Sequence, residues 1–250
     1  MNTKKILSLK KIAFEVQNSH HKILDDVDFE VHEEECVMLI GSNGSGKSSL
    51  LKIINGLYHP TAGSIEFLGN SLLDLPVRKR AQHIATLNQD VNLSTFSELT
   101  VYENYMMAMA KKETPLKKQK NSREIASEYL VRFNPRLPER MDTVTGALSG
   151  GERQSLGLGL CMMHHPNLLL LDEHTSALDP SSARRLMEMT AAAVSENKLT
   201  AIICTHNLQD ALHYGNRLIA MRKGSIILDL KQNKKKSITK EELLKIYGGI

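Results

Sequence analysis

The segment Gly41-Ser42-Asn43-Gly44-Ser45-Gly46-Lys47-Ser48 decides the fold of this chain. It fits the pattern G-x-x-x-x-G-K-[ST], whose backbone N–H groups surround a phosphate. The glycines let the backbone take turns that a Cβ atom would forbid, so successive N–H groups can point at one anion. Lys47 adds a positive charge for the β- and γ-phosphates, and the Ser48 hydroxyl can hold Mg²⁺.

The flanking residues predict a strand before this loop and a helix after it. Residues Glu35 to Ile40 form a short apolar run of the kind found in buried strands. Residues Ser48 to Gly56 have apolar positions at helical spacing and end on a glycine. The N-terminus of that helix then faces the bound phosphate, and its dipole favours negative charge. These features predict an α/β fold built around a nucleotide phosphate.

Composition narrows the class of protein. The chain has 250 residues, 41% of them hydrophobic, which is enough for a sizeable core. The net charge of +4 permits a nucleic acid partner without indicating one. Aromatic residues make up only 4% and tryptophan is absent, which argues against base stacking. We therefore expect no nucleic acid partner.

The distribution of apolar residues and cysteines indicates a compartment. No stretch approaches the roughly 18 apolar residues of a membrane-spanning helix, and the run after Lys4-Lys5 is too short for a signal peptide. We therefore expect a cytoplasmic protein whose membrane role, if any, comes through a partner. The cysteines are odd in number and lie in separate apolar runs, so we expect buried thiols in a reducing compartment. They are Cys36, Cys161 and Cys204.

The rest of the chain divides by its periodicity. Period-two alternation over residues 6–31 predicts half-buried strands, and buried strands alternating with helices return after residue 165. Between about 90 and 165 the pattern is mostly helical, and the Met-rich segment 97–110, Met109 included, is predicted to pack into the core. The expected class is α/β, with a mostly parallel sheet, an N-terminal antiparallel β subdomain and a helical insertion.

Charged runs and turn residues predict three further surface features. Residues 72–83 are predicted to form a surface helix on which Arg78, Lys79 and Arg80 are solvated. The run Lys234 to Lys236 is predicted to be a surface loop. Lys223-Gly224 between two apolar runs predicts a β-hairpin.

Further polar groups follow two buried strands. Asp172-Glu173 follows the run Leu168 to Leu171, and His206 follows the run that ends at Thr205. The carboxyl ends of parallel strands meet at one edge of a sheet, so we expect these groups near the phosphate loop. Asp172 suits Mg²⁺, and Glu173 could deprotonate the water that attacks a γ-phosphate. The alternative for this acidic pair is a cap at a helix start.

The segment Leu148-Ser149-Gly150-Gly151-Glu152 determines which class of nucleotide-binding protein we expect. By physics alone it is a glycine-rich turn before a helix predicted over Arg153 to Met163, hence a second anion-binding helix N-terminus. Followed by Arg153-Gln154, it resembles the signature of ABC-type ATPases. It lies about 100 residues after Lys47 and about 20 before Asp172.

The remaining motifs of that family are present in family order, and the resemblance covers essentially the whole chain. They are Walker A at 41–48, the Q-loop at Gln89, the signature at 148–152, Walker B at 168–172 with Glu173, the D-loop at 176–179 and the switch histidine at His206. The resemblance implies a P-loop NTPase core in a single domain over 1–250. Residues 1–89 and 166–250 would form the α/β core, and about 90–165 the helical signature subdomain.

The resemblance also assigns roles to residues. Catalysis is expected of Glu173, His206 and Gln89, and Mg²⁺ is expected at Ser48, Gln89 and Asp172. ATP is expected to contact Gly41, Ser42, Asn43, Gly44, Ser45, Gly46, Lys47, Ser48, Ser49, Val16, Ser149, Gly150, Gly151, Glu152 and Asp179.

Two positions depart from the family pattern. Val16 stands where an aromatic residue often stacks on adenine, so adenine is contacted either by an apolar, weak surface or by Phe14 nearby. His174 stands where proline usually follows the catalytic glutamate. The resulting Glu-His-Thr sequence resembles a bacterial branch found beside permeases and lipoprotein-type binding proteins, some assigned to aromatic amino acid uptake.

The resemblance implies partners as well. It implies a head-to-tail homodimer that encloses ATP and Mg²⁺, bound to integral-membrane permease subunits on the inner face of the cell membrane and indirectly to a solute-binding protein. Import of a small solute such as an amino acid is the leading expectation. The alternatives are a soluble ABC ATPase acting on DNA or ribosomes, and an exporter ATPase.

Overall fold

A computed structural model describes residues 4–16, 22–110 and 121–248 of the chain. The strands are β1 Lys5–Glu15, β2 Lys22–His32, β3 Cys36–Gly41, β4 Ala62–Phe67, β5 Asn70–Ser71, β6 Ile84–Leu87, β7 Leu168–Asp172, β8 Ala201–Thr205, β9 Arg217–Arg222 and β10 Ser225–Lys231. The helices are α1 Lys47–Asn55, α2 Val77–Arg80, α3 Val101–Met109, α4 Ser122–Leu130, α5 Gly150–Met162, α6 Pro180–Glu196, α7 Leu208–His213, α8 Gln232–Ser237 and α9 Lys240–Gly248.

The central sheet has the strand order β10-β9-β3-β8-β7-β6 and is parallel from β9 to β6. Its strands are apolar along their whole length because both faces are covered. Successive residues alternate between two cores: Val37 and Leu39 face one side, whereas Met38 and Ile40 face the other. The fold class expected from the sequence, α/β with a mostly parallel sheet, is confirmed.

A second, antiparallel sheet with the order β2-β1-β4-β5 covers one face of the central sheet. Its apolar side chains, among them Leu7, Val27 and Phe67, share a core with α1 and with the central strands. This confirms the antiparallel N-terminal sheet expected from the alternation over residues 6–31. The hairpin predicted at Lys223-Gly224 joins β9 to β10.

Between β6 and β7 the described residues contain helices and turns around a core of their own. Asn104 is the polar hub of this region and is almost fully buried. Its amide nitrogen donates to the carbonyl of Phe96 and to Thr145 Oγ1, and its amide oxygen accepts the Phe96 N–H. The segment after Gln89 is thereby bonded to the turn that precedes Ser149.

Two basic residues predicted to be solvated are buried instead. The helix predicted over 72–83 is only α2, and Arg80 folds back so that its guanidinium donates to the carbonyls of Leu73 and Leu75. Lys235 lies in α8 rather than in a loop, and its ammonium donates to the carbonyls of Tyr214 and Gly215. Burial lowers the pKa of Lys235 to about 8. The predictions were wrong because a basic run does not reveal which backbone carbonyls, near in sequence for Arg80 and distant for Lys235, will accept from the cation.

The predicted burial of other side chains is only partly correct. Val101 and Tyr105 of α3 are buried, whereas Met109 and its neighbour Met107 are exposed, so the prediction that Met109 packs into the core is wrong. Among the cysteines, Cys204 is buried and the other two are half-buried, and all are free thiols.

Arg217 ties β9 to three other segments in a buried polar network. Its Nε and Nη2 donate to the two carboxylate oxygens of Asp229 at 2.8 and 2.6 Å. Its Nη1 donates to Glu35 Oε2 at 2.8 Å and to the Glu30 carbonyl at 2.6 Å. Bidentate geometry of this kind is where arginine is strongest.

We expect Arg217→Met to lower the free energy of unfolding by about 3 kcal/mol, because it leaves two carboxylates without their buried partner. Urea unfolding monitored by circular dichroism measures the change. Lys5→Met removes the exposed ion pair with Glu30 and serves as the control, which should leave the unfolding midpoint unchanged. Equal behaviour of the two variants would contradict the assignment.

Candidate active site

The loop between β3 and α1 has the tight geometry that its glycines permit. Gly46 precedes α1 with φ 103°, and a Cβ there would lie 2.6 Å from Leu24 Cδ2. At Gly41 a Cβ would lie 2.2 Å from Ser45 Oγ. The Ser45 carbonyl accepts the N–H of Gly224, so the β9–β10 hairpin is hydrogen-bonded to the phosphate loop.

Three charged or ionisable groups meet in front of this loop. Lys47 Nζ donates to the Gly41 carbonyl at 2.8 Å and lies 3.3 Å from Glu173 Oε1. The other oxygen of that carboxylate, Oε2, lies 3.2 Å from Nδ1 of His206. The prediction that parallel strands bring these residues to one edge is therefore confirmed for Lys47, Glu173 and His206.

Asp172 has the environment expected of a metal ligand. Its side chain is buried at the end of β7 beside the Ser48 hydroxyl, and its Oδ1 has no partner among the described residues. Burial raises the pKa of this carboxyl; the Ser48 side chain opposes that effect, and the charge of Glu173 adds to it. A hydroxyl and a carboxylate are hard oxygen ligands, so the pair fits Mg²⁺.

The described residues contain no cluster of three or more His, Cys, Asp or Glu side chains suited to a metal. An ion at Asp172 and Ser48 would therefore take its other ligands from phosphate oxygens and water, as Mg²⁺ commonly does.

Gln89 lies beyond β6 and contacts the segment after Glu173. Its amide nitrogen donates to Ser176 Oγ at 3.2 Å, and its backbone carbonyl accepts from the Gln154 amide at 3.3 Å. Its predicted role as a Mg²⁺ ligand stays a prediction. The contact with Ser176 was not foreseen, because nothing in the sequence pairs these positions.

Ser149 and Glu152 form a capping box at the start of α5. The Ser149 hydroxyl accepts the Glu152 N–H at 3.3 Å, and Glu152 Oε2 accepts the Ser149 N–H at 2.9 Å. Burial opposes ionisation of Glu152, but the hydrogen bonds from Ser149 lower its pKa overall. Glu152 thus stabilises the helix start, while its predicted ATP contact stays untested.

Asp179 caps the next helix, α6. Its Oδ1 accepts the backbone N–H groups of Ser181 and Ser182, both at 3.1 Å, and these serines hold the pKa of Asp179 well below its usual range. Ser182 also lies within 4 Å of the place where a Cβ on Gly151 would be. The starts of α5 and α6 are therefore neighbours, which relates Asp179 to the signature segment.

The predicted adenine-binding residues lie at the end of β1. Val16 is 45% exposed, and the Phe14 ring stacks on Tyr58 with centroids 5.1 Å apart. Phe14 is paired across the strands with Leu24, which packs against Gly46. Contact of adenine with Val16 or with Phe14 stays a prediction.

His174 follows Glu173 and is almost fully buried, with 1% exposure. Its Nε2 lies 3.1 Å from Thr190 Oγ1 in α6. Burial lowers the pKa of the imidazole to about 4, so the ring is neutral near pH 7. The sequence did not indicate Thr190, which is 16 residues away in a different element.

A phosphate loop on a central strand, with an acidic pair and a histidine at the adjoining strand ends, defines a P-loop nucleotide-binding protein. The chain belongs to the ABC transporter family. The model of that family matches residues 24–176, which is more than half of the chain. Membership of this family implies that the chain is an ATP-binding subunit that hydrolyses ATP.

Relatives of similar length carry transport names. The chain is 37% identical over 247 residues to the tyrosine transport ATP-binding protein of Clostridioides difficile (strain R20291), covering 97% of this chain and 98% of that protein. It is 32% identical to the phosphonates import ATP-binding protein PhnC 1 of Ruegeria sp. (strain TM1040), covering 91% and 89%.

Solved structures of the family have the same fold. The ADP conformation of MJ1267, an ATP-binding cassette of an ABC transporter, gives a TM-score of 0.80 at 25% identity and covers 99% of this chain and 100% of that one. The dimeric post-hydrolysis state of MJ0796, bound to ADP and Pi, gives a TM-score of 0.79 at 24% identity and covers 90% of this chain and 98% of that one.

Within the described residues no helix has both the length and the apolarity to cross a membrane.

The buried neutral His174 should make stability depend on pH. Between pH 6.5 and 4 the unfolded chain binds one more proton here than the folded chain, so stability is lost as the pH falls. We expect a loss of about 3 kcal/mol across this window that is absent in His174→Gln. Urea unfolding at several pH values measures it, and parallel curves for the two proteins would refute it.

Proposed function

We propose that this chain is the ATPase subunit of an importer for a small solute, with an amino acid as the leading candidate. The observation that carries the ATPase role is the contact of Glu173 with both Lys47 and His206 in front of the phosphate loop. Similarity to a tyrosine transport ATP-binding protein over nearly the full length supports import of an amino acid.

The site residues would divide the work of hydrolysis. Lys47 and the N–H groups of residues 42–48 would bind the β- and γ-phosphates. Glu173 would accept a proton from the attacking water, and His206 would hold that carboxylate and contact the γ-phosphate. Mg²⁺, held by Ser48, Asp172 and on nucleotide binding by Gln89, would neutralise charge on the phosphate oxygens.

A second copy of the chain would complete the site. The capped N-terminus of α5 presents Ser149, Gly150 and Gly151, which would contact the γ-phosphate of ATP held by the partner's phosphate loop. Asp179 at the neighbouring α6 start would lie at the same interface. In this proposal residues 1–89 and 166–250 form the ATP-binding core, and about 90–165 form the helical signature subdomain.

The helical segment would also carry the permease contact. Leu93 and Phe96, just after Gln89, are 73% and 59% exposed, and Met107 and Met109 add further exposed apolar surface. Asn104 links this segment to the turn before Ser149, so a movement of the segment would displace that turn. The chain would then lie on the inner face of the cell membrane, with a solute-binding protein acting through the permease.

Glu173→Gln should bind ATP yet hydrolyse it at least about a hundredfold more slowly, since the general base is lost while the phosphate ligands remain. We expect it to form a dimer with ATP in size-exclusion chromatography. Lys47→Ala should instead lose ATP affinity in a binding titration. Glu196→Gln and Lys10→Ala, at exposed positions, are the matched controls. Hydrolysis by Glu173→Gln at the wild-type rate would refute the assignment.

Co-purification from membranes tests the identity of the partner protein. Glu173→Gln protein with ATP, purified from native membranes, should bring down a permease and a lipid-anchored binding protein. Phe96→Glu in that background should lose the permease but keep its ATP-dependent dimer, because the charge falls on the exposed apolar surface only. Ribosomal proteins or DNA repair factors in the captured fraction would overturn the transporter proposal.

A further inference from the structure

The backbone at Glu173 adopts a conformation that most side chains avoid. Its φ of 47° lies in the left-handed region, which is costly for a residue with a Cβ. The Glu173 N–H is bonded to the Cys204 carbonyl of β8, and the Glu173 carbonyl accepts the N–H of Ser176. The bond from Ser176 closes a tight turn in which His174 is the second residue, so the direction of the carboxylate depends on how this turn is held.

The ring of His174 anchors the turn to α6. Thr190 Oγ1 donates its own proton to the Leu186 carbonyl at 2.7 Å, so the hydroxyl can only accept from the imidazole at 3.1 Å. His174 therefore carries its proton on Nε2. Its Nδ1 has no partner among the described residues, which agrees with this tautomer, because a buried N–H left unpaired is rare.

The side chain of Thr190 is held in place by its surroundings. It is fully buried in the middle of α6, the helix whose start at Asp179 adjoins the signature segment. The hydrogen bond between His174 and Thr190 thus joins the turn carrying Glu173 to the helix that borders the expected dimer interface. Glu173 is held from β8 by its backbone and from α6 through His174.

We propose that His174 is a positioning residue whose hydrogen bond to Thr190 fixes the turn that points the Glu173 carboxylate at Lys47 and His206. The proposal rests on the hydrolytic role proposed for Glu173. Loss of the bond lets the turn relax from its left-handed conformation and moves the carboxylate off the line of attack. The phosphate loop is not part of this turn, so ATP binding is preserved.

Steady-state ATP hydrolysis by Thr190→Val tests the proposal. We expect kcat to fall about tenfold while KM for ATP stays within about twofold, since misplacement of a catalytic group affects the chemical step alone. Thr190→Ser keeps the hydroxyl and should restore kcat. Thr200→Val is the matched control: it removes a buried hydroxyl that accepts the Glu34 N–H at the opposite end of the sheet, and should keep kcat.

A second pair of variants addresses the histidine directly. The Gln side chain can place an amide N–H near the position of Nε2, whereas Asn is too short, so His174→Gln should retain kcat and His174→Asn should resemble Thr190→Val. The double variant His174→Asn/Thr190→Val should lose no more than the worse single variant, as expected for two partners of one bond. Multiplying losses would overturn the proposal.

Other results are equally decisive. A wild-type kcat for Thr190→Val, or equal losses in Thr190→Val and Thr200→Val, would reduce the bond to a stability contact and overturn the proposal. If the proposed ATPase function itself were wrong, the measurements would give a different result. In that case the wild-type protein would hydrolyse no ATP, or Glu173→Gln would hydrolyse it at the wild-type rate.

Discussion

Parallel pairing of β3, β8 and β7 is the constraint on which the rest of the site depends. Neighbouring strands lie about 4.8 Å apart, and parallel strands all end at the same edge of the sheet. The phosphate loop, the Asp172-Glu173 pair and His206 are therefore brought together by the sheet itself. Within the site assembled in this way, the Glu173 carboxylate lies 3.3 Å from Lys47 Nζ and 3.2 Å from His206 Nδ1.

The site contains groups that are unfavourable for stability. Glu173 has a left-handed backbone, which costs of order 1–3 kcal/mol, and one buried oxygen of Asp172 has no partner within the described part of the chain. Such features persist because their surroundings over-determine them. Here the surroundings are two apolar cores on either face of the central sheet and the hydrogen bond from His174 to Thr190.

Several features could be predicted because they depend on residues close in sequence. The phosphate loop is one, since its glycines and Lys47 act within eight residues. The helix after the signature segment is another, although it begins at Gly150 and not at the predicted Arg153, because Ser149 and Glu152 form a capping box that was not predicted from the sequence. Predictions failed for Arg80, whose side chain folds back onto carbonyls five and seven residues earlier, and for Lys235, whose accepting carbonyls belong to a distant segment. The predicted burial of Met109 was wrong because helical spacing alone does not tell which face of a helix a neighbouring element covers.

The sequence by itself determined the α/β class, the position of the phosphate loop and the order of the family motifs. Those features rest on local periodicity, capping and turn chemistry, which act over a few residues. Only the tertiary structure decided the contacts of Arg217 with Glu35 and of His174 with Thr190. Their partners lie on different elements, so whether they meet depends on strand register and helix packing. Both of these are set by the cores as a whole.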